Sequence, residues 1–181
     1  MMLEFAKLQD FYSIFPQTVA IIGAARNLMP AAWHTPLSAD PPLYGVSVSP
    51  KRYTYDLLAR ESGFTVNFLM HEEAGLIAKL GNTSGREIDK LERFGLAAER
   101  AGKVNGMILQ ACYGAFECEK FAVHECGDHF LVVGQILAIH VTREVLSEHE
   151  VIDLRKVRPA LYFSKDRYLT IDPATLAVHK K

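Results

Sequence analysis

The stretch Leu43-Tyr44-Gly45-Val46-Ser47-Val48-Ser49-Pro50-Lys51-Arg52-Tyr53-Thr54 runs from an apolar segment into a polar, cationic turn. Its first half mixes β-branched, aromatic and small residues after Pro41-Pro42, which predicts a strand over residues 43–48. Just beyond it, residues 54–60 carry two leucines on one side and stop before a glycine. We therefore expect a short helix there, with Thr54 as its N-cap.

Similar short apolar runs recur along the chain, separated by turn residues. They predict strands over residues 19–23, 27–35, 64–69, 111–125, 129–142, 158–163 and 168–171. The dipeptide Gly127-Asp128 predicts a hairpin between the two longest runs. A capping box over residues 84–87 predicts a second helix that ends at Gly95. Together these signals predict a mostly β fold, an antiparallel sheet of six to seven strands with short helices, closed as a small barrel.

Length and charge bound what the chain can do. Its 181 residues fit a single domain, 1–181, and a net charge of -1 gives no reason to expect nucleic acid or anionic membrane as a partner. No apolar run approaches the ~20 residues that cross a bilayer, and residues 1–10 lack the apolar centre of a signal peptide. The three cysteines are an odd number, which is typical of reduced thiols, so we expect a cytoplasmic protein.

Cys112, Cys118 and Cys126 lie near His124 and His129, which raises the question of a metal site. Their spacing is wider than the tight pairs of zinc sites, and they span what reads as two strands and a turn. We expect buried structural thiols and no metal.

Residues 47–54 have the composition of an anion site, with two cations and several hydroxyl groups at a predicted helix N-terminus. Unpaired N–H groups of a first helical turn stabilise an anion there, and Arg52 and the Thr54 hydroxyl could hold a phosphate. A capped surface helix with solvated cations has the same local pattern. Dinucleotide, P-loop, nucleophile-elbow and HExxH motifs are absent from the sequence.

The segment 27–38 places the only tryptophan, Trp33, among small residues. Asn27 and Trp33 could supply the polar rim and the apolar cover that a flat heteroaromatic ligand needs. Taken alone, Trp33 is also compatible with a core or interface position.

These segments, in this order, resemble the flavin reductase-like proteins with an FMN-binding split barrel, flavoredoxin among them. The resemblance rests on residues 16–22, 27–38, 41–48, 52–54, 64–68, 84–90, 127–129 and 133–136, and covers about 15–168. It implies a Greek-key split barrel and a homodimer with FMN near the subunit interface. It also implies cofactor-binding residues, with none assigned as catalytic: Asn27, Trp33, His34, Thr35, Ser47, Val48, Ser49, Arg52, Thr54, Lys90, His129 and Tyr162.

The implied activity is oxidoreduction, with NAD(P)H as donor and oxygen, a ferric compound or a partner such as an oxygenase component as acceptor. Negative charge develops at one edge of a reduced flavin, and Lys90 or His129 could stabilise it. An exposed helical lysine and a solvated hairpin histidine remain open for these two residues. Phe163 is an alternative to Tyr162. A non-catalytic FMN carrier or storage protein, a pyridoxamine-phosphate oxidase-like enzyme and a cofactor-free barrel also remain open.

Overall fold

Twelve strands and three short helices make up most of a computed structural model that describes residues 7–177. The strands are β1 Gln17–Thr18, β2 Ala20–Ala24, β3 Asn27–Ala31, β4 His34–Ala39, β5 Pro42–Val48, β6 Gly63–Leu69, β7 Ala98–Arg100, β8 Met107–Leu109, β9 Cys112–Cys126, β10 His129–Val141, β11 Leu161–Tyr162 and β12 Tyr168–Leu169. The helices are α1 Tyr53–Arg60, α2 Ala74–Gly81 and α3 Lys90–Phe94, and 3-10 turns cover Leu8–Ser13, His71–Glu73, Arg143–Val145 and Pro173–Thr175. Residues 1–6, which belong to the segment tested for a signal peptide, lie outside the described residues.

Seven strands form one antiparallel sheet in the order β3-β2-β6-β9-β10-β5-β4, which confirms the predicted fold class. Small sheets of β1, β11 and β12 and of β7 and β8 flank it. The predicted hairpin at Gly127-Asp128 is confirmed, with Gly127 at φ 67° between β9 and β10. The final hairpin is also confirmed but is shorter than its sequence signal.

Two apolar clusters lie against the sheet. One packs α1 against β2, β5 and β6 through residues such as Leu58, Ile22 and Phe64. The other packs α2 and α3 against β2 and β8 through residues such as Leu80 and Leu91. The helices are therefore fixed by burial of one face, and they hold the loops that line the site described below.

Several local predictions were wrong. The run 27–35 is not one strand, because β3 ends at Ala31 and a separate strand, β4, starts at His34. Helix α2 and the β7–β8 hairpin were not predicted. The hairpin is held by buried polar side chains of β6, with Thr65 Oγ1 donating to the Met107 carbonyl at 2.7 Å.

Both predicted helix N-termini need correction. Thr54 is not an N-cap, because α1 begins at Tyr53 and the Thr54 hydroxyl is buried, where it accepts a hydrogen bond from Asn27. Ser84 does not open a helix either, and residues 85–87 form a turn. Asp89 caps α3 instead by accepting from the Leu91 and Glu92 amides, while the predicted end at Gly95 (φ 60°) is confirmed.

All three cysteines lie on the single strand β9, not on two strands and a turn. Cys112 and Cys118 are buried, whereas Cys126 is exposed, so the expectation of buried thiols holds for two of them. None of the helices within residues 7–177 is both long and apolar enough to span a bilayer.

Candidate functional site

Four adjoining cavities form one cleft where β3, the β5–α1 junction and residues 81–90 meet. The outer cavity, about 460 Å³, lies between Arg26, Tyr53 and Arg86, and the central cavity, about 440 Å³, lies between Arg52, Thr54 and Ser84. These two share Asn27, Tyr53, Gly85 and Lys90.

The remaining two cavities adjoin the central one. The aromatic cavity, about 180 Å³, is lined by Trp33, His129 and the strand end Ser47–Ser49. The tyrosine chamber, about 280 Å³, is lined by Tyr162 and Tyr168. Arg52 lines the central cavity, the aromatic cavity and the tyrosine chamber, and so lies at the junction of the cleft.

Ten of the twelve residues expected to bind a cofactor line this cleft. They are Asn27, Trp33, Ser47, Val48, Ser49, Arg52, Thr54, Lys90, His129 and Tyr162. His34 and Thr35 do not line it. His34 bridges Tyr44 Oη (2.6 Å) and the Thr18 carbonyl (2.9 Å) with its two ring nitrogens, and Thr35 is exposed on β4.

Arg52 is a cation without a partner among the described residues. It directly precedes α1, and its backbone amide donates to the Ser49 carbonyl at 3.0 Å, which shapes the turn out of β5. Within residues 7–177 its guanidinium forms no ion pair and no hydrogen bond. A planar group with five unused donors on the wall of a cleft can bind a phosphate or a carbonyl oxygen.

Asn27 carries a buried acceptor without a partner. Its Nδ2 donates to Thr54 Oγ1 at 2.8 Å, but Oδ1 has no donor within the described part of the chain. The residue is 8% exposed, and Gly85 lies so close that an added Cβ at that position would clash with Oδ1. Because a buried, unsatisfied amide oxygen is costly, this position favours a ligand that donates a hydrogen bond.

Lys90 lines the cleft as expected but is not an exposed helical lysine. It is 4% exposed, and its Nζ donates to the Leu28 and Leu80 carbonyl oxygens, each at 2.7 Å. Burial, with a contribution from the nearby positive charge of Arg52, lowers the Lys90 pKa to about 8. The interpretation as an exposed helical lysine is wrong, because the side chain ties α3 to β3 and α2.

Aromatic rings form the wall of the aromatic cavity. The Trp33 and His129 rings lie 4.8 Å apart, and His129 Nδ1 is 2.7 Å from the Asp128 carboxylate. The Phe11 and Tyr12 rings also lie near the indole, with ring centroids 5.9 and 6.0 Å away. The His129 side chain is 22% exposed, so it is largely covered.

Of the two adjacent aromatic residues near the C-terminus, Tyr162 lines the cleft and Phe163 does not. Tyr162 packs edge-on against Tyr168 at 5.6 Å. The Phe163 ring instead lies under the Arg167 guanidinium at 5.4 Å.

Several lining residues were not found from sequence. Asn82, Arg86, Asp166 and Tyr168 come from loops whose local patterns resemble ordinary turns and strand ends. Gly85 was noticed only as part of a helix start. Its closeness to Asn27 is a contact between distant segments, which no local signal carries.

Comparisons with known proteins relate the whole fold to one family. A model of the flavin reductase like domain matches residues 11–172. An FMN-binding protein from Thermus thermophilus, solved with bound 1-cyclohex-2-enone, is 34% identical with a TM-score of 0.84 over 98% of this chain and 99% of that one. A flavoredoxin from Methanosarcina acetivorans is 27% identical with a TM-score of 0.85 over 98% and 97%.

Among curated relatives, the flavin-dependent monooxygenase reductase subunit HsaB of Mycobacterium tuberculosis is 28% identical over 137 residues, 76% of this chain and 64% of that protein. Three further relatives are matched over 64%, 77% and 59% of their own length. The likeness therefore extends over nearly all of the two similar structures, but over only about three fifths of several relatives.

Proposed function

Because the chain belongs to the flavin reductase-like family, we propose that it binds FMN in the cleft and passes electrons through it from NAD(P)H. The observation that carries the proposal is the convergence of ten expected residues on one cleft centred on Arg52. The family match also favours this function over that of a pyridoxamine-phosphate oxidase-like enzyme.

The groups in the cleft fit the chemistry of FMN. Arg52, which has no ion pair within residues 7–177, offers a cation to an anionic or carbonyl oxygen, and Asn27 Oδ1 offers an acceptor to a ribityl hydroxyl or a ring N–H. Trp33 and His129 provide two aromatic rings, tilted by 43° to each other, as an apolar cover, and the β5 end provides backbone and hydroxyl groups. Bound flavin would supply two-electron chemistry, accepting a hydride and passing electrons on singly or in a pair.

The chain's own residues would bind and orient, without acting as a general acid or base. Hydride transfer depends on stacking and alignment of the two rings. Lys90 would act mainly by fixing the cleft wall, because its Nζ is already shared between two carbonyl groups. Arg52, which has no ion pair within residues 7–177, is available to the ligand, and Lys51 beside it also lines the central cavity.

For the acceptor we propose a protein partner such as an oxygenase component, as the name of the HsaB relative supports. Oxygen and a ferric compound are further candidates, and the Thermus protein's bound cyclohexenone adds a small conjugated carbonyl compound. We place this activity in the cytoplasm, where the expected reduced thiols would persist. A carrier that does not accept hydride from free NAD(P)H is the competing function.

We also propose a homodimer, supported by exposed apolar side chains on the long β9–β10 hairpin. Ile139 is 64% exposed and lies in register with Phe116, and Phe121 is 59% exposed. Apolar surface of this kind is typical of an interface. Sedimentation of the full chain tests it, since a monomer at micromolar concentration would contradict the proposal.

The visible absorption spectrum of the purified chain, before and after FMN addition and desalting, tests cofactor binding. We expect flavin bands that stay with the protein. Anaerobic addition of NADH or NADPH should then bleach those bands. Retained flavin that neither dinucleotide reduces would support the carrier function, and loss of all flavin on desalting would exclude FMN as a tightly bound group.

A further inference from the structure

The tyrosine chamber differs from the rest of the cleft in the side chains that line it. Its walls include the apolar side chains Val19 and Ile77 together with the Tyr162 and Tyr168 rings. A volume of about 280 Å³ suits one ring system and is below the usual range for a drug-sized ligand. The chamber can therefore accept a single flat ring, not a whole dinucleotide.

Two opposite charges face this chamber without neutralising each other. Arg52 and Asp166 both line it, and within residues 7–177 neither side chain forms an ion pair. Burial, with a further contribution from Asp166, raises the Tyr168 pKa to about 12, so its hydroxyl keeps its proton at neutral pH. The chamber thus combines a carboxylate acceptor with guanidinium and hydroxyl donors.

The backbone that presents Asp166 is unusual. Ser164, Lys165 and Asp166 have φ values of 54°, 50° and 54°, three consecutive left-handed residues without glycine. This conformation is unfavourable for L-residues because the Cβ atom crowds the backbone. The turn is held by backbone hydrogen bonds between Phe163 and Arg167 (2.8 Å) and between Arg167 and Ser164 (3.1 Å). Such retained strain is typical of positions that present a functional group.

We propose that the tyrosine chamber binds the dihydronicotinamide ring of NAD(P)H, with Asp166 accepting from the carboxamide N–H and Arg52 or a tyrosine hydroxyl donating to its carbonyl. This assignment rests on the proposed function, since it names the site of the electron donor. A primary carboxamide on a flat ring presents an NH₂ donor group on one side and a carbonyl acceptor on the other, which matches the carboxylate of Asp166 and the guanidinium of Arg52. The proposal thereby adds Asp166 to the residues expected to bind a ligand.

Asp166 also suits the electron balance of the reaction. The dihydronicotinamide loses a hydride, two electrons with one proton, and becomes a nicotinamide cation, while oxidised flavin is reduced. Positive charge develops on the nicotinamide ring as it loses the hydride. A nearby carboxylate therefore stabilises the transition state more than it stabilises the neutral dihydronicotinamide.

The substitution Asp166→Gly tests the proposal, because glycine adopts positive φ freely and the turn should survive loss of the carboxylate. Lys165→Gly is the matched control, since Lys165 has the same backbone conformation and does not line the chamber. Each FMN-loaded protein is mixed anaerobically with NADH, NADPH or the reduced 3-acetylpyridine analogue of NADH, which lacks the amide N–H. The dissociation constant is taken from the concentration dependence of flavin bleaching.

We expect the wild type to bind the better carboxamide dinucleotide about tenfold more tightly than the acetyl analogue, and Asp166→Gly to abolish this preference. Lys165→Gly should keep it. An equal loss for both dinucleotides in Asp166→Gly would mean a structural role for Asp166 and would overturn the assignment.

Saturation-transfer NMR with NAD⁺ gives a readout without turnover. We expect the nicotinamide protons to show the strongest transfer in the wild type and a weaker one in Asp166→Gly. Transfer confined to the adenine protons would overturn the assignment. Flavin retention is measured separately on the same samples, so a failure of the proposed cofactor is recognised independently of the chamber.

Discussion

Lys90 and Arg52 are two cations in the same cleft, but the structure uses them in opposite ways. Lys90 is 4% exposed and gives its ammonium to two backbone carbonyl oxygens. Arg52 has no ion pair within residues 7–177 and faces three of the four cavities. The ammonium of Lys90 therefore holds its wall of the cleft together, whereas the guanidinium of Arg52, at the β5–α1 junction, stays free to contact a ligand. A positive charge in a cleft is not by itself a ligand-binding charge.

The largest expected difference between Lys90 and Arg52 is in how much each contributes to stability. Replacing Lys90 by Met should lower the free energy of unfolding by about 3 kcal/mol, because the Leu28 and Leu80 carbonyls lose their donor in a buried place. Urea denaturation measures the loss. Arg52→Met, the matched control, should stay within about 0.5 kcal/mol of the wild type. Comparable losses in both variants would contradict the division of roles.

The second effect is on cofactor affinity. Arg52→Ala should weaken FMN binding about tenfold to a hundredfold, since hydrogen bonds to a charged group contribute ~1.5–3 kcal/mol. Equilibrium dialysis or quenching of FMN fluorescence gives the dissociation constant. Arg60→Ala, at the other end of α1, is the control and should leave it unchanged. An unaltered constant in Arg52→Ala would remove Arg52 from the binding site.

The smallest effect, taken per unit of pH, is on the pH dependence of stability, and it concerns Lys90 alone. Its pKa falls from the ordinary 10.5 to about 8 in the folded chain, so the unfolded chain holds more protons between these values. The Lys90 contribution should therefore raise the free energy of unfolding as pH increases from about 8 to 10, by at most ~1.4 kcal/mol per pH unit. The difference between wild type and Lys90→Met isolates it, because the cysteines and tyrosines that titrate nearby are common to both. A difference that does not vary with pH would mean that Lys90 keeps its ordinary pKa.

The strands were predictable because alternation and turn residues are local signals. Gly127-Asp128 fixed the long hairpin, and the strand 64–69 was recognised by its β-branched and aromatic residues. The helix starts failed for a physical reason. Thr54 and Ser84 have the side chains of N-caps, but the Thr54 hydroxyl is used by Asn27 across the cleft, and Asp89 caps α3 instead. A tertiary partner overrode the local pattern in one case and a competing local cap in the other.

The candidate site was predictable only where resemblance supplied it. The resemblance named ten residues that the fold brings to the cleft, but it also named His34, whose two ring nitrogens are committed to Tyr44 and Thr18. Asp166 was not named, because its turn of three left-handed residues contains no glycine that would indicate it, and Tyr168 has the pattern of an ordinary strand residue. The role of Lys90 as a tie between backbone carbonyls also depends on chain segments that are far apart in sequence.

The pairing of β5 with β10 has a consequence for the order in which the protein acquires its function. Val48 lies opposite Phe130, so the segment that carries Ser49 and Arg52 is anchored only after the chain has been made through the second half of the long hairpin. The tyrosine wall is contributed later still, by β11 and β12. Contacts of such long sequence separation form slowly. We therefore expect a nascent chain on the ribosome to remain unable to capture cofactor until nearly all of it has emerged, which makes loading a final step of maturation and not an aid to early folding.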